Sequence, residues 1–270
     1  MRVGLRIQVV KVDALMPTGL LVLWIAAAAV AGAQEPLSAP TLLEQGGVLN
    51  NRLTPSGPTP RTRDGKPDLS GIWNPDRHFI YDISSALKPG DTLPLQPWAA
   101  ELTKKRLSKD DPEANCLPTG VPRMAPYPWK IVQTPTLIVF LFEGNIHSYR
   151  QVFVDGRRHP ADLDPTWYGD SIGHWDGDTL VVDSTGFNDK FWFDFAAHPH
   201  TEKLHITERY RRPDRGHLES EVTIDDPGAY TRAFTLYGHF PLQTNTEIME
   251  YICNENNQDV EHIVGKDSRK

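Results

Sequence analysis

The chain has 270 residues and a formal net charge of −7. That acidity, with no basic stripe to neutralise phosphates, excludes nucleic acid as an expected partner. Its two cysteines are too few for a disulfide scaffold, and neither sits in a Cys-x-x-Cys pair, which speaks against a zinc site.

Arg2, Arg6 and Lys11 precede an apolar run from Leu20 to Val30, followed by Ala31-Gly32-Ala33. This reads as a signal peptide over residues 1–33, with a run too short for a membrane span. The alternative is a buried N-terminal helix. A signal peptide implies a periplasmic or secreted protein in an oxidising compartment. There a single Cys116–Cys253 disulfide is the default, tying the N-terminal arm to the last strand. Two separate buried thiols are the alternative. Residues 34–68 are rich in Pro, Thr, Gly and Arg, lack periodicity, and read as a flexible, irregular arm. Residues 69–270 are expected to form one domain.

Asp68–Trp73 is the first predicted strand, ended by Asn74-Pro75. Pro97 to about Leu107 is the one predicted helix, with Pro in its first turn and Lys104, Lys105 and Arg106 toward its C-terminus. Cys116–Pro128 reads as a Pro-rich loop. Short strands follow at Lys130–Gln133, Leu137–Phe142 and Ile146–Val154. The run Trp167–Ser184 then reads as a hairpin turning at Asp176-Gly177, since Gly accepts positive φ and Asp tolerates it. In that register Trp175 faces Asp178 and His174 faces Thr179. A long loop spans about Gly186–Lys203. Strands are predicted at about Leu204–Arg211, His217–Ile224, Arg232–His239 and Glu247–Cys253. Regular short strands separated by turns indicate an all-β barrel or sandwich.

The Gly71-Ile72-Trp73 core of the first strand resembles the opening strand of lipocalin-like (calycin) barrels, in which the Trp plugs one end. The resemblance implies an antiparallel lipocalin-like β-barrel with one short helix and an irregular N-terminal arm. The chain also resembles a family of exported bacterial proteins of uncharacterised function. The similarity lies in Cys116-Leu117-Pro118, the Trp167–Asp189 run, His198-Pro199-His200 and Glu250-Tyr251-Ile252-Cys253-Asn254-Glu255-Asn256. It covers most of the chain after Gly71 and implies a shared fold, without bringing a catalytic residue.

Strand side chains alternate between faces, so parity filters the candidates. His217–Ile224 shows the ordinary half-buried pattern. In three other strands a charge shares the apolar face: Glu208 with Leu204, Ile206 and Tyr210; Glu250 with Ile248 and Ile252; Arg150 with Ile146, Val152 and Val154. Charges on such faces are costly unless paired, so Arg150 is expected to neutralise Glu208, Glu250 or both. Together they would form the polar floor of a cavity, and a desolvated carboxylate there would suit general acid–base work. A structural ion-pair network is the alternative. His174 with Asp183 is a candidate acid–base pair, against a hydrogen-bonded structural histidine. Trp167 and Tyr168 are candidate ligand contacts at a barrel mouth, with Arg150 and Tyr210 inside, or else a hydrophobic cover for the core.

His198, His200 and His205 are the metal candidates, with Asp194 or Glu202 able to add an oxygen. The His-x-His pattern resembles cupin metal sites, although the glutamate and glycines of that signature are not at their offsets. Ser171 and Ser184 lie on strands rather than on a nucleophile elbow, and no phosphate or dinucleotide loop is present. No organic cofactor is expected, and a divalent metal is the one candidate. The leading expectation is capture of a small, partly apolar molecule in the barrel. The runner-up is a cofactor-independent lyase, isomerase or hydrolase using Glu208, Glu250 or His174. Third is a protein or glycan interaction module acting through loops. No membrane span remains after signal cleavage, and the oligomeric state is open.

Overall fold

The computed structural model describes residues 54–75, 81–123, 127–144 and 148–255. The signal-peptide reading lies outside these residues, as does the arm before residue 54. Nine strands form a closed barrel in chain order. They are β1 (Gly71–Trp73), β2 (Trp129–Gln133), β3 (Leu137–Phe142), β4 (Ser148–Phe153), β5 (Asp170–Asp176), β6 (Thr179–Thr185), β7 (His205–Arg211), β8 (His217–Asp225) and β9 (Phe234–Gln243). One α-helix, α1 (Pro97–Lys105), lies between β1 and β2. It starts at a proline, whose missing N–H is no loss in a first turn, and ends on Lys104 and Lys105, which complement the dipole.

The barrel is mixed. Its neighbours pair antiparallel except β4 and β5, which run parallel and meet at one bridge, Phe153↔Ile172. The expected antiparallel-only sheet is corrected here. The segment between β4 and β5 crosses over instead of making a hairpin, and Thr166 pairs with Phe187 on the way.

Alternation decides what faces inward. Leu218, Ser220, Val222 and Ile224 of β8 point in, beside Ile206, Glu208 and Tyr210 of β7 and Phe234, Leu236 and Phe240 of β9. Trp129, Phe140, Phe142 and Phe240 form an aromatic cluster, with Trp129–Phe140 centroids at 5.5 Å and Trp129–Phe240 at 5.3 Å. Such pairs add about 0.5–1.5 kcal/mol each beyond their buried area. Trp73 is fully buried, donates its indole N–H to the Leu69 carbonyl, and lies under the Arg212 guanidinium at 4.9 Å.

Two expected elements change. The predicted strand Glu247–Cys253 is irregular, and β9 runs on to Gln243 and closes the sheet on β1 through Ile72↔Gln243 and Trp73↔Leu242. With β9 paired to β1, no edge is left there for a further strand. That segment is held outside by Lys130–Glu247, by the Met249 N–H on Glu143, and by the Cys116–Cys253 disulfide. The disulfide spans 137 residues, a closure the chain-entropy model values at about 4–5 kcal/mol. It ties the Pro-rich loop to the segment after β9, not to the last strand.

The central hairpin turns one residue later than expected. Its pairs are Asp176↔Thr179, Trp175↔Leu180 and His174↔Val181, so Gly177-Asp178 is the turn. Gly177 has φ +58°, the positive first position of a type II′ turn. Residues 54–68 lack regular structure but lie on the barrel. Arg61 makes a two-pronged pair with Asp178, and the Thr59 hydroxyl donates to the Arg212 carbonyl.

Candidate functional site

A cavity of about 40 Å³ sits inside the barrel, walled by Trp129, Phe140, Phe142, Val222, Leu236 and Phe240. Its floor is polar: Arg150, Glu208, Tyr210 and Ser220. Its cover comes from outside the sheet, from Ala86 in the short 3₁₀ turn Ile83–Ala86 and from Val121 and Pro122. Arg123 anchors that cover. Its buried guanidinium grips Asp111 through two hydrogen bonds, at 3.1 and 2.8 Å, and reaches Glu113 at 2.5 Å. Gly238 keeps the space open, because a Cβ there would come 2.6 Å from the Ser220 hydroxyl and 2.7 Å from the Phe240 ring.

Arg150 and Glu208 converge as parity requires. Nη1 donates to Glu208 Oε1 at 3.0 Å and Nη2 to Oε2 at 2.5 Å. Nη2 also donates to Ser184 Oγ at 2.6 Å, Nε to Ser171 Oγ at 3.0 Å, and the Tyr210 hydroxyl to Glu208 Oε1 at 2.7 Å. All five residues are buried. An ion pair taken out of water survives only when its remaining donors and lone pairs are satisfied, and the serines and tyrosine do that. Burial opposes the Arg150 charge, but Glu208 and then Tyr210 more than offset it, so its pKa lies above the ordinary arginine value. Burial, with Glu208 beside it, drives the Tyr210 phenol well above the usual range, so it stays protonated and donating. Three of roughly four carboxylate lone-pair positions on Glu208 are occupied, which leaves little for proton abstraction from a substrate.

Glu250 does not join this cluster. It is exposed in the irregular segment after β9, because the strand that was to carry it inward does not form. His174 is also exposed. It lies on the outer face opposite Val181; Asp183 shares that face but stands opposite Ile172, and among the described residues His174 makes no pair with it. Ser171 and Ser184 pair with each other across the hairpin on the face opposite His174, and that face is the inner one. The signal that places them is alternation: Ser184 shares its face with Leu180 and Val182, both fully buried.

Asp183 has two histidine partners, neither of them His174. His159 Nε2 lies 2.8 Å and His205 Nε2 2.9 Å from its carboxylate, while His159 Nδ1 lies 2.5 Å from Asp170. Burial opposes charge on His159, but Asp170 and Asp183 outweigh it and raise its pKa. Burial likewise opposes the Asp183 charge, and His159 and His205 overcome it and lower its pKa. His159 went unnoticed because it lies in a loop outside any periodic pattern.

The three metal candidates separate. His198 Nδ1 bonds Asp194 at 2.6 Å, and His205 belongs to the outer-face cluster. His200 packs tilted against Phe191, with ring centroids 3.8 Å apart, and burial pushes its pKa down to about 4, so it is a neutral packing residue. Among the described residues one group has ligand spacing, Asp82, Asp194 and His198. Asp194 there already accepts from the Ile83 N–H and from the His198 backbone and ring, which knits two loops together. Trp167 and Tyr168 are half-buried against the core, and Tyr168 lines a cleft between β4 and β5 rather than the internal cavity. Among the described residues no helix is long and apolar enough to cross a membrane. No protein-family model matches the chain, and neither a curated protein nor a solved structure is similar to it.

Proposed function

We propose that this is an exported, lipocalin-like barrel protein that binds a small, neutral, partly apolar molecule inside the barrel. The observation that carries this reading is the apolar cavity ending on the Arg150–Glu208–Tyr210 floor. The Arg150 and Glu208 charges cancel, so the floor has no net charge to hold an ion. The Tyr210 hydroxyl donates to Glu208 and keeps a lone pair, and Ser220 adds a hydroxyl. A ligand hydroxyl or N–H suits that pair. Its apolar part would lie against Trp129, Phe140 and Phe240. At about 40 Å³ the space takes a group of a few heavy atoms, well below the roughly 300 Å³ of drug-sized sites. A larger ligand requires Val121 and Pro122 to yield.

Calorimetric titration with 2-propanol and 2-butanol tests this, using Gly238→Ala as the filled-cavity control. Saturable binding to the native protein and its loss in Gly238→Ala are expected. Equal binding by both proteins would sink the reading.

A second reading, a loop-borne glycan site, is supported by exposed aromatics. Tyr81 and Phe195 lie 5.7 Å apart, with Tyr127 and Tyr251 also exposed. Sugar rings stack on such faces. Binding of cellotetraose that Phe195→Ala abolishes is the outcome that would favour it.

A further inference from the structure

We infer that the seam between β4 and β5 is a second binding site, for a small molecule carrying a secondary amide. A cleft of about 480 Å³ lies there, lined by Ser148, Tyr149, Gln151, Phe153, Tyr168 and Asp170, with Arg150 and Ser171 at its base. It exists because the two strands meet only at Phe153↔Ile172. The chain leading into β5 bonds elsewhere. The Thr166 N–H donates to the Gly186 carbonyl at 2.9 Å, and the Asn188 N–H to the Thr166 carbonyl at 2.8 Å.

That arrangement leaves β4 with an open edge inside the barrel wall. The Val154 N–H bonds Thr136 on the β3 side at 2.9 Å, and the β3–β4 register is unbroken from Leu137↔Phe153 to Phe142↔Ser148. Antiparallel ladders direct alternate residues to opposite sides. Tyr149 and Gln151 therefore turn their N–H and C=O groups toward the cleft. Among the described residues neither has a ladder partner there. Two side chains reinforce the signal. Ser148 Oγ and Tyr168 Oη are buried in residues that line this cleft, and they make no hydrogen bond among the described residues. Burial raises the Tyr168 phenol, and the Ser148 hydroxyl beside it works the other way, but their geometry is not that of a hydrogen bond.

Unmet buried donors and acceptors are costly, so they mark where a ligand's polar atoms gain most. A strand edge alternates N–H and C=O. A secondary amide carries the same two groups in complementary order, and its carbonyl can also accept from Tyr168 or Ser148. Tyr149, exposed on the outer face of β4, offers an aromatic surface for an attached ring, while the Arg157 guanidinium covers Phe153 at 3.7 Å. Occupation of this seam does not depend on the internal cavity being filled.

The probe is N-benzylacetamide, with benzyl acetate as the ester of matching shape that lacks the N–H. Binding is followed by amide NMR of the full chain. Saturable shifts are expected at Tyr149, Gln151 and Gly169, with the Trp129 indole unmoved. Binding should weaken at least about fivefold for the ester, and about five- to tenfold in Tyr168→Phe, the worth of one hydrogen bond. If Tyr168→Phe does not fold, Ser148→Ala takes its place. No saturable shift at Tyr149 and Gln151, or equal binding of amide and ester, overturns the inference. A shift confined to the Trp129 indole also overturns it and assigns the probe to the internal cavity.

Discussion

β5, β6 and β7 carry two charged clusters, one on each face of the barrel wall. Inside, Ser171, Ser184 and Glu208 hold Arg150. Outside, Asp170 and Asp183 hold His159, and His205 shares Asp183 with it. One residue along the strand separates Asp170 from Ser171 and Asp183 from Ser184, so alternation alone decides which groups meet water. The inner cluster is at most 5% exposed except for Tyr210 at 7%. In the outer one the side chains are 20% to 42% exposed. The same chemistry therefore carries different weight on the two faces.

The largest contrast is expected on breaking the inner pair. Glu208→Gln leaves a buried guanidinium uncompensated and should cost about 3–5 kcal/mol in denaturant unfolding. Replacing both partners, Arg150→Met with Glu208→Leu, should recover most of that loss, since apolar isosteres of a buried pair are often neutral. A double variant as unstable as Glu208→Gln would show that the polar pairing is itself required for the fold. Next is Tyr210→Phe, which removes one hydrogen bond to a charged group and should cost about 1.5–3 kcal/mol by the same measurement.

The smallest effect belongs to the outer face. Asp183→Asn should cost less than about 1 kcal/mol, as exposed pairs do. Its signature is pH. The folded His159 pKa is raised above its unfolded value of about 6.5, so its contribution is complete below that pH and fades as pH rises through the folded pKa. The folded Asp183 pKa is depressed, so its contribution is present above about 3.9 and fades as pH falls through the folded value. The stability gap between native protein and Asp183→Asn should therefore be widest between about pH 4 and 6.5. A gap that grows from pH 6.5 to 8 would contradict the His159 bridge.

The contrast also explains what the sequence revealed. Arg150 and Glu208 were legible because each interrupts an apolar stripe, and a charge there needs a partner. Their serine partners were not, because a serine on an apolar face needs no charged partner and so leaves no anomaly in the pattern. Glu250 shows the same stripe, between Ile248 and Ile252, yet no strand forms. Strand formation there depended on an edge that β9 had already taken, and closure is a non-local property. The β4–β5 seam was hidden for the same reason, since parallel pairing leaves no turn motif to read. His159 lay in a loop, where periodicity says nothing.

The most direct test of ligand capture in the barrel is the Trp129 indole resonance in a 2-butanol titration, for native protein and Tyr210→Phe. A saturable shift in the native protein is expected, with binding weakened about five- to tenfold once the Tyr210 lone pair is gone. An indole resonance that stays fixed, or binding untouched by Tyr210→Phe, would contradict it.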